Sequence, residues 1–279
     1  MTDAEFQYVA GQSRPTFRAL LADFEARSAA AIHTGNCRLD LAYGPAPRQR
    51  FDFFVAQGRP RGTLAYFHAG YWQSRDKASF RFIAPAFTRL GLHVALVNYP
   101  LCPAVSLGAL IEAARASIGA IRAHTAIDGQ HTPPLVLAGH SAGGHIAVEL
   151  ALAQAGRPQA PMPAIAGIVA LSGIYDLAPL VGTSLNRNLM LDNASATAHS
   201  PLHRLRPGCP AALFAVGADE TLAFVEQSRH MCKGWQQAGN DAALEVAPGA
   251  DHFSVLQQFT EPDTALFGRI GALLDKALG

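Results

Sequence analysis

Clustered charge is missing from this sequence. Basic and acidic residues number 22 and 21 among 279, and no Lys/Arg run gathers them. That sets nucleic acid and anionic membranes aside as main partners. Cysteine is scarce too. Cys37, Cys102, Cys209 and Cys232 stand apart without C-x-x-C spacing, so they read as free thiols of a reducing compartment and not as a disulfide framework. The stretch "MTDAEFQYVAGQSRP" lacks a basic region followed by an apolar core, and no signal peptide is read there. The longest apolar run, "AIAGIVALSGIYDLAPLVG", is broken by Ser172, Asp176 and Pro179 and is too polar to span a bilayer. Repeats, low-complexity tracts and long linkers are wanting as well. The expectation is one soluble, cytoplasmic domain over 1–279, and these residues neither require nor exclude a homo-oligomer.

What is abundant is apolar side chain. Hydrophobic residues make up 49% of the chain, enough for a sizeable core. Phe17, Leu20, Leu21 and Phe24 recur at helical spacing and predict an amphipathic helix in an N-terminal segment, 1–36, that either caps a site or packs on a sheet edge. Eight short apolar runs follow: "CRLDLAY", "FDFFVA", "TLAYFH", "HVALVNY", "LVLAG", "AGIVALSG", "AALFAVG" and "AALEVAP". Their Gly, Pro and Asp boundaries predict strands. The first two are joined by "GPAPRQR", as in a hairpin. The later ones alternate with helix-like segments at 78–90, 106–124, 142–155, 221–239 and 254–278. Such alternation requires parallel pairing, since parallel neighbours need a crossover long enough for a helix. The predicted architecture is a mostly parallel eight-stranded α/β sheet with helices on both faces. Its ligands belong at the carboxyl ends of the strands.

One strand-to-helix junction carries a chemical signal. Gly139-His140-Ser141-Ala142-Gly143 fits G-x-S-x-G, where small residues two before and two after the serine let strand and helix crowd around a strained turn. The helix that follows presents its positive end to an anion forming near Ser141. A serine hydroxyl needs a base to become a nucleophile. Of eleven histidines, His252 in "VAPGADHFSVL" follows the last predicted strand and falls at the same carboxyl edge. His140 is pinned within the turn, and His145 sits one helical turn on, where packing is the ordinary role. A metal pair of these two would need a carboxylate or thiol close by, and none is read there. His33, His93, His124, His131, His199, His203 and His230 are read as structural or surface residues.

The imidazole in turn needs an anion to fix its tautomer. Asp219 and Glu220 end a predicted strand side by side and either could serve. Asp176, after "LSGIY", is a third candidate whose ordinary reading is a turn. The order serine, acid, histidine is that of α/β-hydrolases. An oxyanion would also need preorganised N–H donors. "LAYFHAGYW" supplies a strand followed by His68-Ala69-Gly70-Tyr71-Trp72, and the amides of Ala69, Gly70 and Ala142 would form that hole.

These motifs together resemble the α/β-hydrolase superfamily, and within it the kynurenine formamidase (arylformamidase) group of esterase-like enzymes. "YGPAPRQRFDFFVA" resembles the group's first hairpin, "HAGYWQS" its H-G-G-Y-W loop, "GHSAGGHIA" its elbow and "LSGIYDLAPL" the end of its sixth strand. "SPLHRL", "GADETLAFVEQS" and "GADHFSVL" follow in the family order. The family's acid lies three residues after the strand-end glycine and four before a phenylalanine. From Gly217 and Phe224 that resemblance points to Glu220, with Asp219 in reserve. Ala69 departs from a family glycine, and Glu220 is the longer acid.

The resemblance implies hydrolysis of N-formylkynurenine to kynurenine and formate through an acyl-serine, a small-molecule reaction with no cofactor and no metal. It places Tyr71, Trp72 and Phe253 as candidate walls for the aromatic leaving group. A carboxylesterase for short-chain or aryl esters would need the same residues. A non-catalytic binding protein of this fold would not need all three of serine, histidine and carboxylate.

Overall fold

The computed structural model describes residues 3–34, 36–126, 132–155 and 165–279; His131 lies outside them. The strands are β1 (Cys37–Ala42), β2 (Arg50–Phe54), β3 (Gly62–Phe67), β4 (Leu92–Val97), β5 (Leu135–His140), β6 (Ile165–Leu171), β7 (Ala211–Gly217) and β8 (Ala242–Ala247). They form one sheet in the order β1-β2-β4-β3-β5-β6-β7-β8. Only the pairings of β2, with β1 and with β4, are antiparallel. All eight apolar runs read from the sequence are strands. Their burial matches their place: β3 and β5 are buried at every position, whereas edge strand β1 is mostly exposed and carries a register shift between Arg38 and Leu41. A bulge of that kind blunts an open edge.

The helices are α1 (Asp3–Tyr8), α2 (Phe17–Thr34), α3 (Ala84–Arg89), α4 (Leu107–Thr125), α5 (Ala142–Ala155), α6 (Asn186–Leu189), α7 (Asn193–Ala198), α8 (Leu222–Gln237), α9 (Val255–Gln258) and α10 (Ala265–Leu278). Side chains alternate across a strand, so the sheet divides the core in two. Phe53, Phe67, Val97, Leu137 and Phe214 meet α4, α5 and α8 on one face. Phe54, Tyr66, Leu96, Val136 and Leu213 meet Phe24 of α2, Phe87 of α3 and Ile270 of α10 on the other. Helix α5 is buried from Ala142 to Leu152 on all sides, which explains its uniformly apolar sequence. No described helix is long and apolar enough to cross a membrane.

Two predicted helices are divided. Residues 78–90 form a 3-10 turn, Lys77–Ile83, and then α3, where Pro85 falls in the first turn. Proline suits that position and not a helix interior. Residues 254–278 split into α9 and α10 around Pro262 for the same reason.

The buried strand β2 carries an ion cluster in its middle. Asp52 is fully buried and pairs with Lys77 Nζ at 2.8 Å and Arg81 Nε at 2.7 Å, and it accepts the Asp40 N–H at 2.9 Å. Lys77 is itself only 3% exposed. Removing Asp52 leaves Lys77 only the exposed Asp40 carboxylate, 2.7 Å from Nζ, and takes the carboxylate from Arg81; breaking such a buried pair costs about 3–5 kcal/mol. Asp52→Ala is therefore expected to lower unfolding free energy by about that amount in a denaturant titration. A loss under about 1 kcal/mol would show that Asp40 suffices as the partner of Lys77.

Candidate active site

The junction of β5 and α5 is as close as its glycines allow. A Cβ on Gly139 would fall on the main chain of Gly143, and one on Gly143 would fall on the Phe67 carbonyl. The first turn of α5 is thus pressed against the ends of β3 and β5. Ser141, between them, has a left-handed backbone at φ 56°, and its N–H donates to the Leu171 carbonyl at 2.8 Å. A non-glycine residue in that region stores backbone strain, which the packing on both sides must hold.

The loop after β3 arrives at the same place. Gly70, Tyr71 and Trp72 all have positive φ, at 131°, 51° and 61°, and a side chain on Gly70 would strike the Ser74 carbonyl. Two contacts fix the loop. The Tyr99 hydroxyl donates to the His68 carbonyl at 2.6 Å, and the His68 ring stacks on Tyr99 at 4.3 Å. Within this loop and the first turn of α5, the amides of Ala69, Gly70 and Ala142 donate to no described residue. Ala142 adjoins Ser141 in the chain, and the start of the loop is close to it, the His68 carbonyl lying 2.9 Å from where a Cβ on Gly143 would sit.

His252 follows β8, and its Nδ1 pairs with Glu220 Oε2 at 2.7 Å. The Glu220 side chain is fully buried, and that of His252 is 3% exposed. The second oxygen, Glu220 Oε1, accepts the Ser172 hydroxyl at 2.5 Å and the Gly217 N–H at 2.7 Å. With one oxygen committed to these donors, the other is left to orient the imidazole. The remaining two acids lie elsewhere. Asp219 is exposed, and its carbonyl accepts from Arg14 at 2.7 Å. Asp176 accepts the Ala178 N–H at 3.1 Å and lies 3.4 Å from His203, as a turn residue does. Rings close around His252: Phe224 at 4.4 Å, His140 at 4.7 Å and Phe253 at 5.2 Å between centroids. Ser141 Oγ hydrogen-bonds to no described residue; what the structure sets beside the His252 ring is the preceding residue, His140, at 4.7 Å between centroids.

His140 and His145 part company. His140 faces His252, with neither ring nitrogen in a hydrogen bond of good geometry, and burial holds it neutral, well below the ordinary histidine range. His145 Nε2 meets the His199 carbonyl at 2.8 Å, and its ring lies edge-on to Trp72. A carboxylate overlooked in the sequence, Glu149, comes within 3.7 Å of His145 but is paired with Arg204; burial raises its pKa to about 7. Trp72, expected as a pocket wall, is fully buried with its ring edge-on to His145, in a loop of positive φ.

The N-terminal segment lies across this rim. Tyr71 Oη donates to the Tyr8 carbonyl, Gln12 Nε2 to Thr221 Oγ1 at 2.5 Å, and Phe17 packs on Phe253 with ring centroids 4.0 Å apart and planes tilted by 39°. Gln227, in α8, accepts the N–H groups of Tyr175 and Asp176 and donates to Tyr8 Oη at 2.9 Å. Ser172 was not singled out as a site residue in the sequence, and Gln227 entered only as part of the family-like motif "GADETLAFVEQS". Ser172 had a usable signal, its place at the carboxyl end of β6.

Two outcomes follow for an activated aryl acetate. Glu220→Gln is expected to lower kcat by roughly 10³–10⁴-fold, because the amide favours the wrong imidazole tautomer. Asp219→Asn should stay within about 2-fold, and Ser172→Ala should lower kcat about 10-fold at little-changed KM, the pattern of lost positioning. Equal losses for Asp219→Asn and Glu220→Gln would reject the assignment of the acid. Stability should also respond to acid. Burial holds His68 at about 4 and His145 at about 3, below the ordinary value of 6.5, so unfolded chains bind these protons first. Their contribution is complete above about pH 6.5 and is lost as pH falls towards 4, at ~1.4 kcal/mol per pH unit for each proton. Thermal melts between about pH 7.5 and pH 5 should show Tm falling on the acid side; a flat Tm would contradict the burial of neutral rings.

Residues 64–256 match the family described as alpha/beta hydrolase fold. The kynurenine formamidase of Danio rerio is 30% identical over 236 residues, covering 82% of this chain and 78% of its own. Esterase LipU of Mycobacterium tuberculosis is 25% identical over 276 residues, covering 91% and 88%. A Silicibacter protein provisionally described as a thioesterase superposes with a TM-score of 0.83 at 28% identity, over 97% of this chain and 100% of that one. By its family match and its relatives, the chain belongs to the α/β-hydrolase fold family, in the group that contains kynurenine formamidases and esterases.

Proposed function

We propose that this hydrolase is a serine enzyme that cleaves an aryl formamide, N-formylkynurenine, to kynurenine and formate. The observation that carries the reading is the Glu220–His252 bond, set on the same rim as Ser141 at its strained elbow. The likeness to kynurenine formamidases supports the choice of substrate.

The chemistry runs in two halves. Ser141 Oγ attacks the formyl carbon while His252 Nε2 takes its proton. The imidazolium is stabilised through Nδ1–H by Glu220 Oε2, in a site whose low polarity strengthens that bond. Negative charge moves onto the carbonyl oxygen, which the amides of Ala69, Gly70 and Ala142 and the positive end of α5 would meet. Such donors are each worth about 3–4 kcal/mol of barrier. The tetrahedral adduct collapses as His252 returns its proton to the arylamine nitrogen, and kynurenine departs. Water, deprotonated by His252, then attacks formyl-Ser141; collapse releases formate and restores the hydroxyl.

An ester differs from this substrate only in its leaving atom, and the likeness to esterases supports that second reading. The discriminating experiment measures kcat/KM for N-formylkynurenine against simple alkyl and aryl esters. The formamide is expected to rank first, and Ser141→Ala to lower kcat at least ~10³-fold. Turnover of short alkyl esters with none of the formamide would move the assignment to esterase.

A further inference from the structure

The loops that carry Glu220 and His252 are pressed together at their bases. The Asp219 N–H donates to the Ala250 carbonyl at 2.9 Å, and a Cβ on Gly217 would strike that same carbonyl. A residue from outside the sheet meets both loops farther out. It is Arg14, half-buried in the stretch between α1 and α2. Its Nη2 donates to the Asp219 carbonyl at 2.7 Å, while Nη1 donates to the carbonyls of Gly11 at 2.5 Å and Ser13 at 3.1 Å. The stretch that presents it is fixed in turn. Gly11 packs so near Thr221 that a Cβ would fall 2.6 Å from Cγ2, and Gln12 donates to Thr221 Oγ1. On the other loop stands Asp251, the residue before His252. Its Oδ1 accepts the N–H groups of Phe253 at 2.9 Å and Ser254 at 2.8 Å, so this carboxylate shapes the turn that bears His252. Burial raises the Asp251 carboxyl, but the bonds from Ser254 and Phe253 and the charge of Arg14 together hold it below the ordinary carboxylate value.

We propose that Arg14 is a positioning residue for the Glu220–His252 pair, clasping from outside the two loops whose spacing sets that bond. The inference rests on the hydrolase reading above and deepens it. The Asp219 carbonyl and the Glu220 N–H belong to one planar peptide unit. A guanidinium bonded to that oxygen therefore fixes the backbone from which Glu220 Oε2 reaches His252 Nδ1. The planar fork of an arginine suits this task, because its two amino groups serve different stretches of chain, Asp219 on one side and Gly11 on the other. The contact uses the main chain of Asp219 and leaves its exposed carboxylate out. Among the described residues, Arg14 donates only to main-chain carbonyls, so its influence on the pair passes through the backbone.

The test is kinetic, on p-nitrophenyl acetate, with N-formylkynurenine assayed alongside and a thermal melt for each variant. Arg14→Ala is expected to lower kcat about 10-fold with KM within about 2-fold. Arg14→Lys keeps a charge and one donor for the Asp219 carbonyl, and should stay within about 3-fold of the natural kcat. Arg14→Gln takes the place of Arg14→Ala throughout if the latter does not fold. The decisive arm combines Arg14→Ala with Glu220→Gln. A residue that acts through the pair adds nothing once the pair is broken, so the double variant should match Glu220→Gln within about 2-fold. A further loss of about 10-fold in the double variant overturns the proposal, since Arg14 then acts independently of the acid. An unchanged kcat in folded Arg14→Ala overturns it too, and leaves the hydrolase reading standing. The expected pattern on the ester with no formamide turnover upholds Arg14 and rejects the formamidase reading. No turnover of either substrate by the natural chain overturns both.

Discussion

The structure depends on how closely the first turn of α5 approaches the ends of β3 and β5. Gly139 and Gly143 leave no space for a side chain at that contact. The consequence is geometric. A helix brought this near can begin only one residue after the strand ends, and that residue, Ser141, is forced into a left-handed backbone. The same approach sets the amide of Ala142 beside the loop that leaves β3. Packing, strain and unused N–H donors are therefore one feature seen three ways. A methyl group at Gly143 would undo them together.

The acid and the base reach this point from the other half of the sheet. Glu220 follows β7 and His252 follows β8, strands paired in register from Ala212 with Ala242 to Gly217 with Ala247. That pairing ends both strands at one level, so the two loops meet. Ser172, at the end of β6, spans the gap to Glu220. The result is a carboxylate with a donor for each oxygen in a place closed to solvent, where an ionised group survives only if fully hydrogen-bonded. The N-terminal segment completes the enclosure. Its residues touch Thr221, Phe253 and Tyr71.

Much of this was legible in the sequence, for a physical reason. The central strands, buried on both faces, are written as continuous apolar runs, and the exposed β1 and half-buried β8 were found by their turn boundaries, so all eight were read close to their ends. The elbow was legible because steric crowding dictates its glycines. Between Asp219 and Glu220 the residues alone did not choose; the family spacing did, and the side chain that meets His252 is that of Glu220. What stayed hidden depends on the fold bringing distant residues together. Asp52 reads as an oddity in a buried strand until Lys77 and Arg81 arrive beside it. Glu149 finds Arg204 only when the chain between 172 and 204 folds back over α5. The burial of Trp72 edge-on to His145, in a loop of positive φ, is likewise something periodicity does not reveal. The split helices show the same limit. A proline marks a break, but whether the helix restarts is decided by what packs beyond it.

The central claim is that Ser141 is made nucleophilic by His252. Its most direct test needs no natural substrate. The protein is treated with a fluorophosphonate, which phosphonylates activated serines, and the adduct is located by peptide mass mapping. The account predicts one equivalent of label on Ser141, and label lost or strongly slowed in His252→Ala. Labelling at another residue, or equal labelling rates with and without the His252 imidazole, would contradict it.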